Sequence, residues 1–274
     1  MAARTQKKIF PPFRKRYFFI IFTLCILLVG GVVLYKSLYA KPTYVYAKIK
    51  VGQGLWWAVT TRPAIWYVNA IKKGDTATDL LGRTEAKVLS KRYYRWYAYD
   101  QYDVFLDVQL KANVNKKTNE YYFNRAALSV GSPIEMQFAS ESITGTVTAL
   151  SLKPFDNTLV EKTVYITKKY ANPWEYDAIQ VGDKTFDGED VVFEVLEKTT
   201  APSNGFSYGT SYSVNVGSSV LEPSNYVTIK AKVKLKKIED QWVLGEDQIV
   251  SAGRNLNIAT PNFVFDNFIV SKIE

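Results

Sequence analysis

From Tyr17 to Tyr35 the chain reads YFFIIFTLCILLVGGVVLY, 19 residues without a charge. At about 1.5 Å per residue this run predicts a helix of roughly 28 Å, close to the ~30 Å hydrocarbon core of a bilayer. Beyond it the pattern changes from continuous to alternating. Val104, Leu106, Val108, Leu110, Ala112 and Val114 alternate with Phe105, Asp107, Gln109, Lys111 and Asn113. Val227, Ile229, Ala231, Val233 and Leu235 alternate with Thr228, Lys230, Lys232, Lys234 and Lys236. Period two over such lengths predicts two half-buried strands.

A short phrase is written twice, AIKKGD at 70–75 and AIQVGD at 178–183, an offset of 108 residues. Before the second copy stands Asn172-Pro173, a good N-cap followed by a residue tolerated in the first helical turn. The expectation is a two-turn helix from Pro173 to about Gln180, stopped by Gly182 in the left-handed conformation. The first copy repeats the arrangement with Pro63 and Gly74. A strand follows each, EAKVLSK at 85–91 and DVVFEVLEK at 190–198. The alternating strands come next, then the turns NKKTNE and KKIEDQ, then LSVGSPIEM and VSAGRNLNI, and last ITGTVTAL and FIVSKI. The later offset grows because TAPSNGFSYGTSYSVNVGSS, a loop or long hairpin, faces the shorter KRYYRWYAYDQY.

Ordered agreement of this kind predicts an internal duplication. The expected architecture is mainly β, with one N-terminal transmembrane helix followed by two tandem, duplicated small β domains, barrel or sandwich-like, each with one short helix. The boundaries are a basic cytoplasmic tail at 1–16, a transmembrane signal anchor at 17–35, a first β domain at 42–152, a linker at 153–159 and a second β domain at 160–274. Equivalence of the copies places Ile71 over Ile179 and Val108 over Ala231.

YVYAKIKVGQGLWW, NAIKKGDTATDLLGRTEAKVL, LSVGSPIEMQF and ITGTVTAL together resemble a bacterial membrane-anchored family known as domain of unknown function forty-three thirty. The motifs cover roughly residues 44–150. The resemblance implies a single N-terminal anchor and an exported β domain, with no activity or catalytic residues to carry over.

Charge sharpens the topology. Of 35 Lys and Arg, six (Arg4, Lys7, Lys8, Arg14, Lys15, Arg16) lie in the first 16 residues, leaving 29 against 26 Asp and Glu. The net charge of +9 is therefore mostly a tail, not the broad basic surface that nucleic acid needs. Those cations hold the N-terminus in the cytoplasm and place the rest outside it, in the cell membrane. The rival reading is a cleaved signal peptide. Its apolar region exceeds the usual ~7–15 residues, and cleavage after Ala40 would put Leu38 at the −3 position.

Candidate chemistry is sparse. There is no histidine, and the single cysteine, Cys25, sits in the apolar run. Triads built on His are excluded, as is an intrachain disulfide. Asp75, Asp79, Asp183, Asp187, Glu189 and Asp190 gather near glycines, where turn chemistry, a calcium site and paired catalytic carboxylates compete. Lys230, Lys232, Lys234 and Lys236 share one strand face, a cationic ladder for an anionic wall polymer or lipid, or a solvated edge. Trp56, Trp57, Tyr93, Tyr94, Trp96, Tyr97 and Tyr99 form an aromatic cluster suited to sugar stacking or a protein partner, or to cross-strand packing.

The candidate partner-binding residues are accordingly the four lysines with Tyr94 and Trp96. No catalytic residue, cofactor or metal site is expected. The predicted function is a non-catalytic, membrane-anchored envelope protein, a scaffold or adaptor for a protein complex or the cell wall. A carbohydrate- or peptidoglycan-binding module is the alternative. A carboxylate-dependent membrane-bound hydrolase stands third. Partners are the bilayer through the anchor and an envelope complex or anionic wall polymer, with no nucleic acid.

Overall fold

The computed structural model describes residues 13–39, 43–52, 62–79, 82–96, 100–115, 117–208 and 221–274. The basic tail before Phe13, the cleavage position at Ala40, Trp56, Trp57, Tyr97, Tyr99 and the tip of the Gly/Ser/Tyr segment at 209–220 lie outside the described residues. The chain divides into two compact units, Met1–Thr43 and Tyr44–Glu274.

The first unit is described through helix α1, Phe13–Tyr39. Every described side chain from Tyr17 to Val32 is exposed. Among the described residues no helix is long and apolar enough to cross a membrane. The side chains described in α1 cover only 17–32, about 24 Å of helix against the ~30 Å of a hydrocarbon core.

The second unit is mainly β. Its first sheet comprises β1 (Thr43–Val51), β2 (Thr76–Thr78), β3 (Thr84–Arg95), β4 (Tyr102–Asn115), β5 (Glu120–Phe123), β6 (Ala126–Leu128), β7 (Pro133–Gln137) and β8 (Ser142–Ser151), with helix α2 (Ile65–Ala70) after β1. The second comprises β9 (Val160–Ala171), β10 (Lys184–Phe186), β11 (Val191–Tyr208), β12 (Leu221–Ile238), β13 (Gln241–Leu244), β14 (Gln248–Val250), β15 (Asn255–Ala259) and β16 (Val264–Ile273), with helix α3 (Pro173–Ala178) after β9. The orders are β2-β3-β4-β1-β8-β7 and β10-β11-β12-β9-β16-β15, with β5-β6 and β13-β14 paired onto β4 and β12. The second sheet thus repeats the first strand for strand. Both curl into barrel-like lobes. β2 and β7, at opposite ends of the first order, touch, and Thr185 Oγ1 of β10 donates to the Ala259 carbonyl of β15 at 2.8 Å.

Register makes the equivalence specific. Val88 pairs with Val108, and the register slips between Val88 and Ser90. Val195 pairs with Ala231, and the register slips between Val195 and Glu197. The twice-written phrase has the same job in each lobe. Ile71 and Ile179 are wholly buried; burying such a side chain contributes about 1.5–3 kcal/mol. Two residues on, the chain turns and hooks onto the next long strand. Gly74 N–H donates to Val88 O and Val88 N–H to Asp75 O, both at 2.9 Å. Gly182 N–H donates to Val195 O (2.8 Å) and Val195 N–H to Asp183 O (2.9 Å).

The glycines do not stop the helices, as the sequence suggested. Each helix ends earlier, at C-caps Ile71 and Ile179 in extended conformation. Gly74 (φ +94°) and Gly182 (φ +91°) instead occupy the third position of β-turns closed by Asp75 N–H to Lys72 O and Asp183 N–H to Gln180 O, each 3.2 Å. A positive φ there is the type II requirement. The start of α3 is as the sequence suggested: Asn172 is its N-cap, Pro173 stands in the first turn, and Asn172 N–H donates to Glu175 Oε2 at 2.7 Å.

What closes the helix C-termini is a lysine. Lys91 Nζ donates to Val68 O (3.0 Å) and Ile71 O (2.7 Å), and Lys198 Nζ donates to Tyr176 O (2.7 Å). The two lysines are register equivalents, facing Leu106 and Ile229. Replacing Lys91 by Met keeps the stem and removes the donors. It is expected to cost about 1–2 kcal/mol in denaturant unfolding; a loss within a few tenths would leave α2 closed by other means.

Each lobe has its own apolar core. The first is built on Val45, Ile49, Val88, Leu106, Leu110 and Met136. The second centres on Phe193, Phe265 and Phe268, whose rings meet at centroid distances of 5.2–5.3 Å. β4 departs from simple alternation. Val104, Leu106, Val108, Leu110 and Ala112 are buried as expected and Val114 is exposed, but Phe105 and Asp107, on the opposite face, are buried as well. The second lobe covers that face, so both lobes belong to one unit.

Candidate functional site

The junction between the lobes is built from one face and two turns. The face is the outer side of the first sheet, carrying Lys48 and Lys50 on β1, Arg92 and Tyr94 on β3, and Asp103, Phe105 and Asp107 on β4. The turns belong to the second lobe: Asp187–Asp190 between β10 and β11, and Gly245–Asp247 between β13 and β14. Arg92 bridges Asp187 and Asp190, the latter at 3.0 Å. Asp187 is wholly buried. Besides Arg92 it accepts from Tyr94 Oη (3.0 Å), Glu189 N–H (2.9 Å) and Asp190 N–H (2.8 Å), and its carbonyl accepts from Tyr93 N–H at 2.7 Å. Around the second turn, Lys48 pairs with Glu246 and Asp107, and Lys50 with Asp103 (3.2 Å) and Asp247 (3.0 Å). Asn157, in the segment joining the lobes, donates to Asp107.

These surroundings shift the titrating groups. Burial works to lower the Arg92 pKa, but the Asp187 charge and the hydrogen bonds to both aspartates leave it above its ordinary value. Burial, reinforced by Asp187, pushes the Tyr94 phenol well up. A hydrogen bond from Lys234 holds Asp190 below the usual carboxylate range. Burial lowers Lys236.

Beside these pairs a cleft of about 220 Å³ opens between the lobes, lined by Arg62, Arg95, Trp96, Asp103 and Phe105 on one side and Leu244, Asp247, Asn257 and Ile258 on the other. The Arg62 guanidinium lies 4.2 Å from the centre of the Trp96 ring, and its Nε donates to Asp103 at 3.0 Å.

The residues singled out from sequence separate here. Trp96 lines the cleft. Tyr94 also borders it, but its ring packs on Phe105 and its hydroxyl is committed to Asp187. The lysine row is one strand face, as alternation predicted, with its charges engaged. Lys230 stands 5.9 Å over the Tyr165 ring, Lys232 pairs with Glu161 (3.3 Å), Lys234 with Asp190 (2.8 Å) and Lys236 with Glu246 (3.7 Å). The acidic residues do turn and junction work: Asp75 Oδ2 accepts from Lys72 N–H, Asp79 pairs with Arg83, Asp183 accepts from Asn262, and Glu189 pairs with Lys73. Among the described residues no three or more carboxylates or thiols gather to hold a metal ion.

Arg62, Arg92, Lys48 and Asn257 went unnoticed in the sequence. A signal for Arg92 existed in the inequality of the copies. It faces Phe105, whereas Thr199, facing Thr228 at the equivalent place, cannot form an ion pair. The chain matches no family model, no curated protein and no solved structure.

Proposed function

We propose that this is a non-catalytic envelope protein, anchored in the cell membrane by its N-terminal helix and presenting the paired lobes on the extracytoplasmic side as a binding or adaptor unit. The observation that carries this reading is α1, a helix whose described side chains are exposed and, Thr23 apart, apolar. An exposed apolar helix suits a lipid environment. Val33, Leu34 and Tyr35 extend the uncharged sequence to Tyr35, roughly 28 Å of helix. The six preceding cations favour a cytoplasmic N-terminus. The twice-used strand path supports an internal duplication, and the ionic groups at the junction, spent on one another, favour binding over proton transfer.

A second reading, a carbohydrate- or peptidoglycan-binding module, is favoured by the cleft, where an aromatic side chain, amides and carboxylates meet. The anchor is tested by a reporter fused after Glu274. It should be active only outside the cytoplasm, and the mature chain should retain Cys25. Reporter activity in the cytoplasm, or a soluble product beginning at Lys41, would remove the anchored reading.

A further inference from the structure

We infer that the cleft between the lobes binds one N-acetylhexosamine residue of a neutral glycan. The inference rests on the reading of the lobes as an extracytoplasmic binding unit and supplies its ligand class.

Three observations set the chemistry. First, the charges lining the cleft are already balanced. Arg62 is held by Asp103 and Arg95 by Asp100, and Lys50 neutralises both Asp103 and Asp247. An anionic ligand would have to take these cations from carboxylates that stay behind, which like-charge repulsion opposes. A neutral ligand meets no such cost.

Second, Asn257 Oδ1 is buried and has no hydrogen-bond partner, although Asn257 lines the cleft. Its backbone N–H and carbonyl face the Gln248 side-chain amide, which satisfies both, at 2.7 and 3.0 Å, when its oxygen is turned toward the N–H. An unmet buried acceptor costs about 1–3 kcal/mol. A ligand that relieves it brings an N–H or O–H. A carboxylate brings neither, and phosphate brings its O–H only together with a negative charge; an acetamido group brings an N–H without charge.

Third, the polar groups stand beside an apolar wall of Phe105, Leu244 and Ile258. This suits the acetamido methyl and the C–H face of a pyranose. The volume of about 220 Å³ is well above what one water needs and below the ~300 Å³ of a drug-sized pocket, which limits the occupant to about one ring. The site needs both lobes, with Arg62 and Trp96 from one and Asp247 and Asn257 from the other.

The test uses the full chain in detergent micelles, with tri-N-acetylchitotriose as probe and calorimetry as readout. The wild type should bind it. Asn257→Leu should weaken binding roughly tenfold, the loss of about one hydrogen bond, whereas Asn257→Asp, which keeps an acceptor oxygen, should stay within about threefold. Maltotriose, lacking the acetamido group, should bind at least about tenfold more weakly, and inorganic phosphate should not displace the probe. Should Asn257→Leu fail to fold, a spin-labelled chitotriose should still broaden the Asn257 and Ile258 amide signals of the wild type. No binding by the wild type, equal binding of maltotriose, displacement by phosphate, or full binding by a folded Asn257→Leu would overturn the inference. A chain that sediments with cell wall yet ignores the trisaccharide keeps the envelope reading and loses this one. A cytoplasmic reporter fused after Glu274 removes the envelope reading whatever the cleft binds.

Discussion

Replacing Arg92 by alanine is expected to lower the unfolding free energy of the β unit by about 3–5 kcal/mol, because it strands a buried carboxylate. Asp187 is wholly buried, and the Arg92 side chain is itself only 11% exposed. The fork of one guanidinium serves two aspartates on the turn between β10 and β11, a geometry a lysine ammonium does not reproduce. Arg92→Lys should therefore recover only part of the loss. The same turn gives the wild type an acid sensitivity of known sign. Asp190 titrates below its ordinary value in the folded chain, chiefly through its hydrogen bond with Lys234 and then through Arg92. Its contribution is present above the unfolded pKa of about 4 and is lost as pH falls through the lower folded value. Denaturant unfolding at pH 7 and pH 3 measures both effects. A change under about 1 kcal/mol for Arg92→Ala would mean that the junction is held by packing alone.

Gly188→Ala should be the most damaging single-methyl substitution at the junction. The residue has φ +105°, and a Cβ there would lie 2.7 Å from the Lys91 carbonyl oxygen and 2.9 Å from the Tyr93 ring. The left-handed backbone disfavours a side chain by about 1–3 kcal/mol, and overpacking against main chain adds about as much again. Gly182 provides the control. Its φ is similar, +91°, but a Cβ there would meet nothing within 4 Å, so Gly182→Ala should cost only about 1 kcal/mol. Equal losses in the two variants, measured by thermal unfolding, would show that conformation, not the close approach of the lobes, sets the requirement for glycine at 188.

The repeat was legible in sequence because its signals are local: the phrase at 70–75 and 178–183, and the period-two strands now seen as β4 and β12. The role of the glycines was misread, since a left-handed residue after a helix is compatible with a helix stop and with the turn two residues on. The extended C-caps Ile71 and Ile179 and the turn hydrogen bonds of Asp75 and Asp183 separate the two. The junction was largely hidden. Phe105 and Asp107 have the alternation of a solvated face, and nothing near them in sequence announces that residues 187–190 and 245–247 will cover them. Tyr94 was picked out as aromatic, but its partner is a carboxylate 93 residues away. Trp96 stood out by residue type and lines the cleft; Asn257 had no signal at all, being an ordinary polar residue in the strand β15.

The contact between the lobes joins unlike surfaces, a sheet face on one and two turns on the other, so it has a direction. A contact of that kind propagates in principle, each new copy offering a fresh face, and can grow into a filament. This chain removes the terms for a further step. On the second lobe, the places of Asp107 and Arg92 are taken by Lys230 and Thr199. On the first lobe, the β5–β6 turn carries Asn124 and Arg125 where the second has the longer Gly245, Glu246 and Asp247, and Arg83 stands where Asp190 does in the turn hydrogen bonds. Repeating the contact would put Asn124 and Arg125 in the role of Glu246 and Asp247, which meet Lys48 and Lys50, and leave Arg83 opposite a threonine. Asp79 keeps the place of Asp187, but the cations and carboxylates around it are changed at both open faces, which works against a further step.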